Sequence, residues 1–412
     1  MKSRLYILAM ATATALLLNG CAKDDILNDG PVSGIGSLKE GGTPVAFETN
    51  VSMFEADTRA EITSKADLAT AGFGVFAYYH DGNGDTDGAY SATATPGFMY
   101  NQGVSSADAG ATWAYSPVKY WPNETGADAT SDHVDKLSFL AYAPFTSVLS
   151  GTEPGIYGFT SNTTAGDAKV SYRVAAKDPT KAVDLMWGVH PTSGAPLLNL
   201  TKQAIGEKVN IKFYHALTKL DIEAQLAVDQ VAAGGTLNAN TKVLVEGLYL
   251  IPQQTDASKQ LGLEGIFNLN TSYSSTASAG WTVTTPYDAT AASSSTIKIK
   301  DSVKYNTGTG VTTASQSLLD GPLMFIPING SATYKYNIRL VYHVITTDPV
   351  TGMVSDVTND IVQEDVDIPF LQGNAYKLTA IIGLTSVKFT VTVAAWNDDE
   401  KPVAMRSTDE VF

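Results

Sequence analysis

Apolar side chains recur at every second position through much of this chain, and that spacing constrains its fold more than any other feature. A period of two puts successive side chains on opposite faces of a strand, whereas a helix buries one face at a period near 3.6. In the first such stretch Val45, Phe47, Val51 and Met53 share a parity, with Thr49 between them. Residues 73–79 are apolar at both parities, which predicts a central strand covered on both faces. Residues 137–142 form another strand. Val209, Ile211, Phe213, His215 and Leu217 share one face, but Leu220, Ile222, Ala224 and Leu226 take the opposite parity. A slip of one residue moves a whole set to the other face, so a bulge or bend is expected near 216–218. Later strands are expected at 243–251, 323–328, 334–345, 376–382 and 387–395.

Amphipathic helix is scarce, the best short candidate being 64–71. Many strands separated by Gly, Ser, Thr and Asn predict an all-β chain of antiparallel sandwiches. At 412 residues the chain is long enough for two cores. The glycine-bearing loop at 194–206 is the expected boundary, dividing an N-terminal sandwich at 43–205 from a C-terminal one with a short tail at 206–412. Residues 270–315 read as loop, being rich in Ser, Thr and Ala.

The N-terminus has a different logic. Lys2 and Arg4 precede a short apolar run, too short to span a bilayer, and Leu18-Asn19-Gly20-Cys21 comes next. Positive end, apolar core and small residue before a cut are the parts of a secretory signal, here 1–20. Its ending resembles a bacterial lipobox, which implies cleavage before Cys21, lipidation of Cys21 and anchoring in the outer membrane. Cys21 is the only cysteine, so no intrachain disulfide is expected. Lys23-Asp24-Asp25 resembles a surface-export signal. Residues 21–42 read as a flexible tether. The net charge of −15 becomes −17 once Lys2 and Arg4 are removed, which argues against nucleic acid as a partner.

Several segments then point to one family. They are Tyr115-Ser116-Pro117-Val118-Lys119-Tyr120-Trp121-Pro122, Leu137-Ser138-Phe139-Leu140-Ala141-Tyr142-Ala143-Pro144, Phe213-Tyr214-His215-Ala216-Leu217-Thr218-Lys219-Leu220, Asn374-Ala375-Tyr376-Lys377-Leu378 and Val393-Ala394-Ala395-Trp396-Asn397. With the lipobox, this set resembles the fimbrillins, the type V pilins of the Bacteroidales outer membrane. The resemblance implies two transthyretin-like antiparallel β-sandwiches in tandem. It also implies a trypsin-like, Arg-specific protease that removes the lipidated segment with the first strand, and fibres that grow when another subunit's strand fills the groove. Val45, Phe47, Thr49, Val51 and Met53 suit the displaced strand, since alternate side chains fill pockets while the backbone pairs. Arg59 lies just beyond in a polar stretch, and cleavage there would leave Ala60 as the mature start. The tail departs from the family pattern: Val403 and Met405 alternate, but Ser407 and Asp409 come next on the same face. A tip, anchor or accessory role is therefore expected as readily as a stalk one. The rival reading is a permanently anchored glycan-binding lipoprotein.

Catalytic and metal signals are thin. Asp81, Asn83, Asp85 and Asp87 alternate oxygen ligands as a calcium loop does, but Thr86 replaces the turn glycine, and a polar hairpin loop is the favoured reading. His215 falls on an apolar face and is expected to be a hydrogen-bonded core imidazole, while His343 shares a face with Lys335, Asn337 and Arg339 and is expected to be solvated. Trp113, Tyr115, Tyr120 and Trp121 are expected in the core and at corners rather than as a sugar platform. Asp398, Asp399 and Glu400 are expected to be solvated. No enzyme activity and no cofactor are expected, and the partners expected are other fimbrial subunits, the protease and a surface receptor.

Overall fold

The computed structural model describes residues 43–51, 61–82, 87–122, 134–176, 178–204, 206–227, 240–254, 256, 259–287, 297–383 and 387–395. In chain order these residues form β1 (Phe47–Val51), α1 (Lys65–Ala71), β2 (Phe73–His80), β3 (Met99–Val104), β4 (Lys136–Ala143), β5 (Gly155–Phe159), β6 (Lys169–Arg173), β7 (Met186–Val189), β8 (Leu197–Leu200) and β9 (Val209–His215). They continue with β10 (Thr218–Leu226), β11 (Thr241–Pro252), β12 (Gly262–Asn268), β13 (Trp281–Pro286), β14 (Gln316–Ser317), β15 (Leu323–Phe325), β16 (Tyr334–Thr347), β17 (Val354–Ile368), β18 (Asn374–Ile382) and β19 (Val387–Ala395).

The seven-stranded sheet runs β1-β9-β7-β4-β2-β3, with β8 beside β4. One face presents Phe76, Tyr78, Leu140, Tyr142 and Trp187 to Val170, Tyr172, Phe267 and Trp281 of the four-stranded sheet β13-β12-β6-β5. The other face presents Phe47, Phe73, Val75, Phe139, Ile211 and Phe213 to Leu68 of α1 and to Trp121. This is why β2 and β4 are apolar at both parities: each is covered on both sides. The second sandwich sets β14-β10-β18-β19, with β15 beside β10, against β11-β16-β17. Leu220, Ile222, Tyr376 and Leu378 meet Val243, Leu248, Ile338 and Leu340 there. The register of β11 shifts between Val245 and Gly247, where a bulge turns both Val245 and Leu248 inward.

The break expected near 216–218 is present, but it is a change of sheet rather than a bulge within one strand. β9 pairs with β7 and β1, whereas β10 starts at Thr218 and pairs with β18 and β15. Strands on both sides of residue 205 therefore share a sandwich. β12 pairs with β6 from Glu264↔Arg173 to Asn268↔Lys169 and carries β13 with it. Residues 281–286, expected within a loop, are thus β13, and Trp281 is its core anchor. Ala176 and Leu263 pack against both cores.

Candidate functional site

The site is built around β1, which lies at the end of its sheet. It runs parallel to β9, in register from Phe47↔Val209 to Val51↔Phe213. The Val209 amide donates to the Ala46 carbonyl at 2.8 Å. On the other side the segment touches only its flank: the Val45 amide donates to the Lys119 carbonyl, the Trp121 amide donates to the Thr43 carbonyl, both at 2.9 Å, and the Tyr115 hydroxyl donates to the Val45 carbonyl at 2.8 Å. Among the described residues, Phe47–Val51 pair with β9 alone. Such an edge is where a second strand can compete.

Side chains alternate as the sequence predicts. Phe47, Thr49 and Val51 are buried, and Glu48 and Asn50 are exposed. Phe47 meets Phe73 and Phe139 edge-on, with ring centroids at 5.9 and 5.8 Å, and Tyr115 at 5.6 Å. Each fully buried aromatic or aliphatic side chain contributes roughly 1.5–3 kcal/mol, so apolar burial dominates the hold on this strand. The fit has one flaw. Thr49 is 0% exposed, yet its hydroxyl has no hydrogen-bond partner, and the indole N–H groups of Trp113 and Trp121 are buried without partners in the same region. Buried polar groups are nearly always satisfied, so each of these costs stability.

The next described segment is held differently. Glu61 Oε1 lies 2.8 Å from Lys219 Nζ, and both side chains are buried. Lys219 also lies 3.4 Å from Asp221. Burial works against the charge on Lys219, but Asp221 and Glu61 outweigh it and raise its pKa. The Ile62 amide donates to Asp184 Oδ2 at 3.0 Å, and Asp184 Oδ1 lies 2.9 Å from His215 Nδ1. α1 comes next, with the Ser64 hydroxyl oxygen accepting from the Asp67 amide at its N-cap. Leu68 of α1 is fully buried in the core that holds Phe47.

Of the sequence-predicted residues, Val45, Phe47, Thr49 and Val51 come together in the groove, whereas Cys21, Met53, Arg59 and Ala60 lie outside the described residues. Asn83 and Asp85 also lie outside them. Asp87 pairs with Lys136 at 2.9 Å and accepts the Val134 amide, and Asp81 accepts from Tyr79 at 3.4 Å. No metal-binding cluster occurs among the described residues. His215 is the buried, hydrogen-bonded imidazole expected. His343 is not solvated: it is 6% exposed and stacks on Tyr305 at 3.5 Å. Its ring lies 2.7 Å from Asp356 and 3.0 Å from Glu246, because the bulge in β11 and the register of β17 place a carboxylate at each nitrogen. Trp121 is buried, Trp113 packs on Phe73, and Tyr115 on Phe47, so only Tyr120 of that group is well exposed. Sequence reasoning missed Glu61, Asp184 and Lys219. The one signal was a lysine embedded in the apolar run from Leu217 to Leu220.

No helix among the described residues is long and apolar enough to cross a membrane. No protein-family model and no curated protein matches the sequence. Solved structures do. A fimbrial protein from Bacteroides vulgatus aligns with 86% of this chain and 99% of its own length, at a TM-score of 0.57 and 21% identity. Two proteins provisionally named for cell adhesion, from Bacteroides uniformis and Bacteroides ovatus, align at 16% identity and TM-scores of 0.38. They cover 87% and 88% of this chain and the whole of theirs. The two sandwiches and their crossed-over strands thus give this chain the fold of a Bacteroides fimbrial protein.

Proposed function

We propose that this protein is a surface fimbrial subunit of fimbrillin type, with a structural and adhesive role and no catalysis. In this reading it is exported as a lipoprotein through Cys21 and remains on the outer membrane until an Arg-specific protease cuts between Arg59 and Ala60. The cut releases Val45, Phe47, Thr49, Val51 and Met53, and an extended strand from another subunit takes their place. One observation carries the reading: β1 is a terminal, parallel edge strand whose alternate side chains fill an apolar groove, so its loss leaves both an open ladder and empty pockets. The fimbrial protein of similar fold supports it.

The test is the N-terminal residue of the protein recovered from the native cell surface, compared with an Arg59→Ala variant. A mature start at Ala60 that disappears in the variant is the expected result. An acylated Cys21 as the sole start would overturn assembly by strand exchange and leave an anchored protein. The adhesion receptor would then be sought by retention on polysaccharide, the rival glycan-binding reading.

A further inference from the structure

Two neighbouring segments of this chain are secured by opposite means. Residues 47–51 are held by a one-sided ladder and apolar side chains, residues 43–45 by backbone bonds to 119–121 as well, and neither stretch forms an ion pair with any of the described residues. Ten residues after Val51, Glu61 forms a buried ion pair with Lys219 of β10, in the second sandwich. Ile62 donates its amide to Asp184, which is itself tied to His215 at the end of β9. One strand thus serves both segments: the Val209–Phe213 part of β9 pairs with β1, and His215 anchors the segment that begins at Glu61. Beyond Ile62, Thr63 and Ser64 both bond to Asp67, and Leu68 closes one wall of the groove around Phe47.

We propose that Glu61–Lys219 and Ile62–Asp184–His215 form a clasp that keeps residues 61–71 in place when residues 43–51 leave. The clasp sets where displacement stops. It also keeps α1 standing as a wall, so an incoming strand meets a preformed groove rather than one that must refold. Glu61, Lys219 and Asp184 are positioning residues in this scheme: they hold the wall of the groove and not the strand that fills it. The charged groups gathered at the clasp are Glu61, Lys219, Asp221, Asp184 and His215. The proposal rests on the strand-exchange reading for its purpose but not for its measurement.

Native-state hydrogen exchange on the full chain tests it without any cleavage. In the wild type, amides of 43–51 are expected to exchange at least tenfold faster than those of 62–71, since the two open separately. Lys219→Met removes the ammonium from beside the buried Glu61 carboxylate, and exchange across 62–71 is expected to rise about a hundredfold while β2 amides stay unchanged. The Glu61→Gln, Lys219→Met pair removes both charges and is expected to restore most of the protection, which a general loss of packing would not. Equal wild-type rates for the two segments would overturn the clasp, as would a Lys219→Met variant with 62–71 unaffected. If Lys219→Met does not fold, the wild-type comparison decides alone. Trypsin-cut protein mixed with a labelled synthetic peptide of residues 43–53 separates the two ideas. No peptide uptake with 62–71 still protected sinks strand exchange and leaves the clasp. Uptake accompanied by opening of 62–71 sinks the clasp and leaves strand exchange.

Discussion

At the scale of single residues, Thr49 and two histidines carry distinct expectations. The Thr49 hydroxyl is buried and unpartnered, so removing it while keeping the branched shape relieves a desolvation cost of about 1–3 kcal/mol. Thr49→Val is expected to raise the urea midpoint and slow exchange of 43–51; an unchanged midpoint would mean the hydroxyl costs nothing. His80 is held neutral by burial, with its pKa lowered to about 4. Its Nε2 lies 2.9 Å from the Ser138 hydroxyl oxygen, which also accepts the Asn199 amide. Because the folded pKa lies below the unfolded value, this contribution is present above about pH 6.5 and is lost as pH falls toward 4, by up to roughly 3 kcal/mol. His343 has the opposite sign. Burial disfavours its charge, but hydrogen bonds to Asp356 and Glu246 outweigh that and raise its pKa. Its contribution is complete below the unfolded pKa and fades as pH rises through the folded one. Stability measured from pH 4 to 8 is expected to lose its acid limb in His80→Gln and its alkaline decline in His343→Gln.

At the scale of elements, β1 depends on Phe47. Phe47→Ala removes a ring held by Phe73, Phe139 and Tyr115 and is expected to cost about 3–5 kcal/mol, read by urea unfolding and by exchange of 43–51 that rises more than that of the rest of the sheet. A variant that exchanged uniformly faster would place Phe47 in the global core instead. Elements like β1, β2 and β4 were legible in the sequence because burial on one or both faces writes itself as apolar parity. β17 was not legible: Asp356, Asp360, Glu364 and Asp367 break the pattern, and the strand is fixed instead by its long ladder with β16 and by pairs such as Arg339–Asp360. β6 and β12 hide for another reason. Each is short, and their pairing spans 91 residues at Arg173–Glu264, a distance that no local pattern encodes. The groove was half legible: its strand showed in the alternation at Val45–Val51, but the clasp did not, because a buried Glu61 reads as surface until Lys219 is placed against it.

At the scale of the whole molecule, the pairing of β12 with β6, which sets β13 and β12 beside β6 and β5 in one sheet, binds the two halves of the sequence together. A fragment of residues 43–216 lacks two of the four strands that cover Phe76, Tyr142 and Trp187. It is expected to bind a hydrophobic dye and show no sharp thermal transition; a cooperatively folded fragment would show that the second sheet is dispensable. A cut anywhere between Val51 and Glu61 has a different consequence. While the peptide chain is intact, β1 and its groove are one molecule, and a short tether holds the strand at an effective concentration of about millimolar. Once the chain is cut, the same side chains and the same ladder hold a separate ligand, and occupancy becomes a matter of dilution. A strand that reseats after each opening in the uncut subunit can drift from the cut one without the loss of a single native contact beforehand.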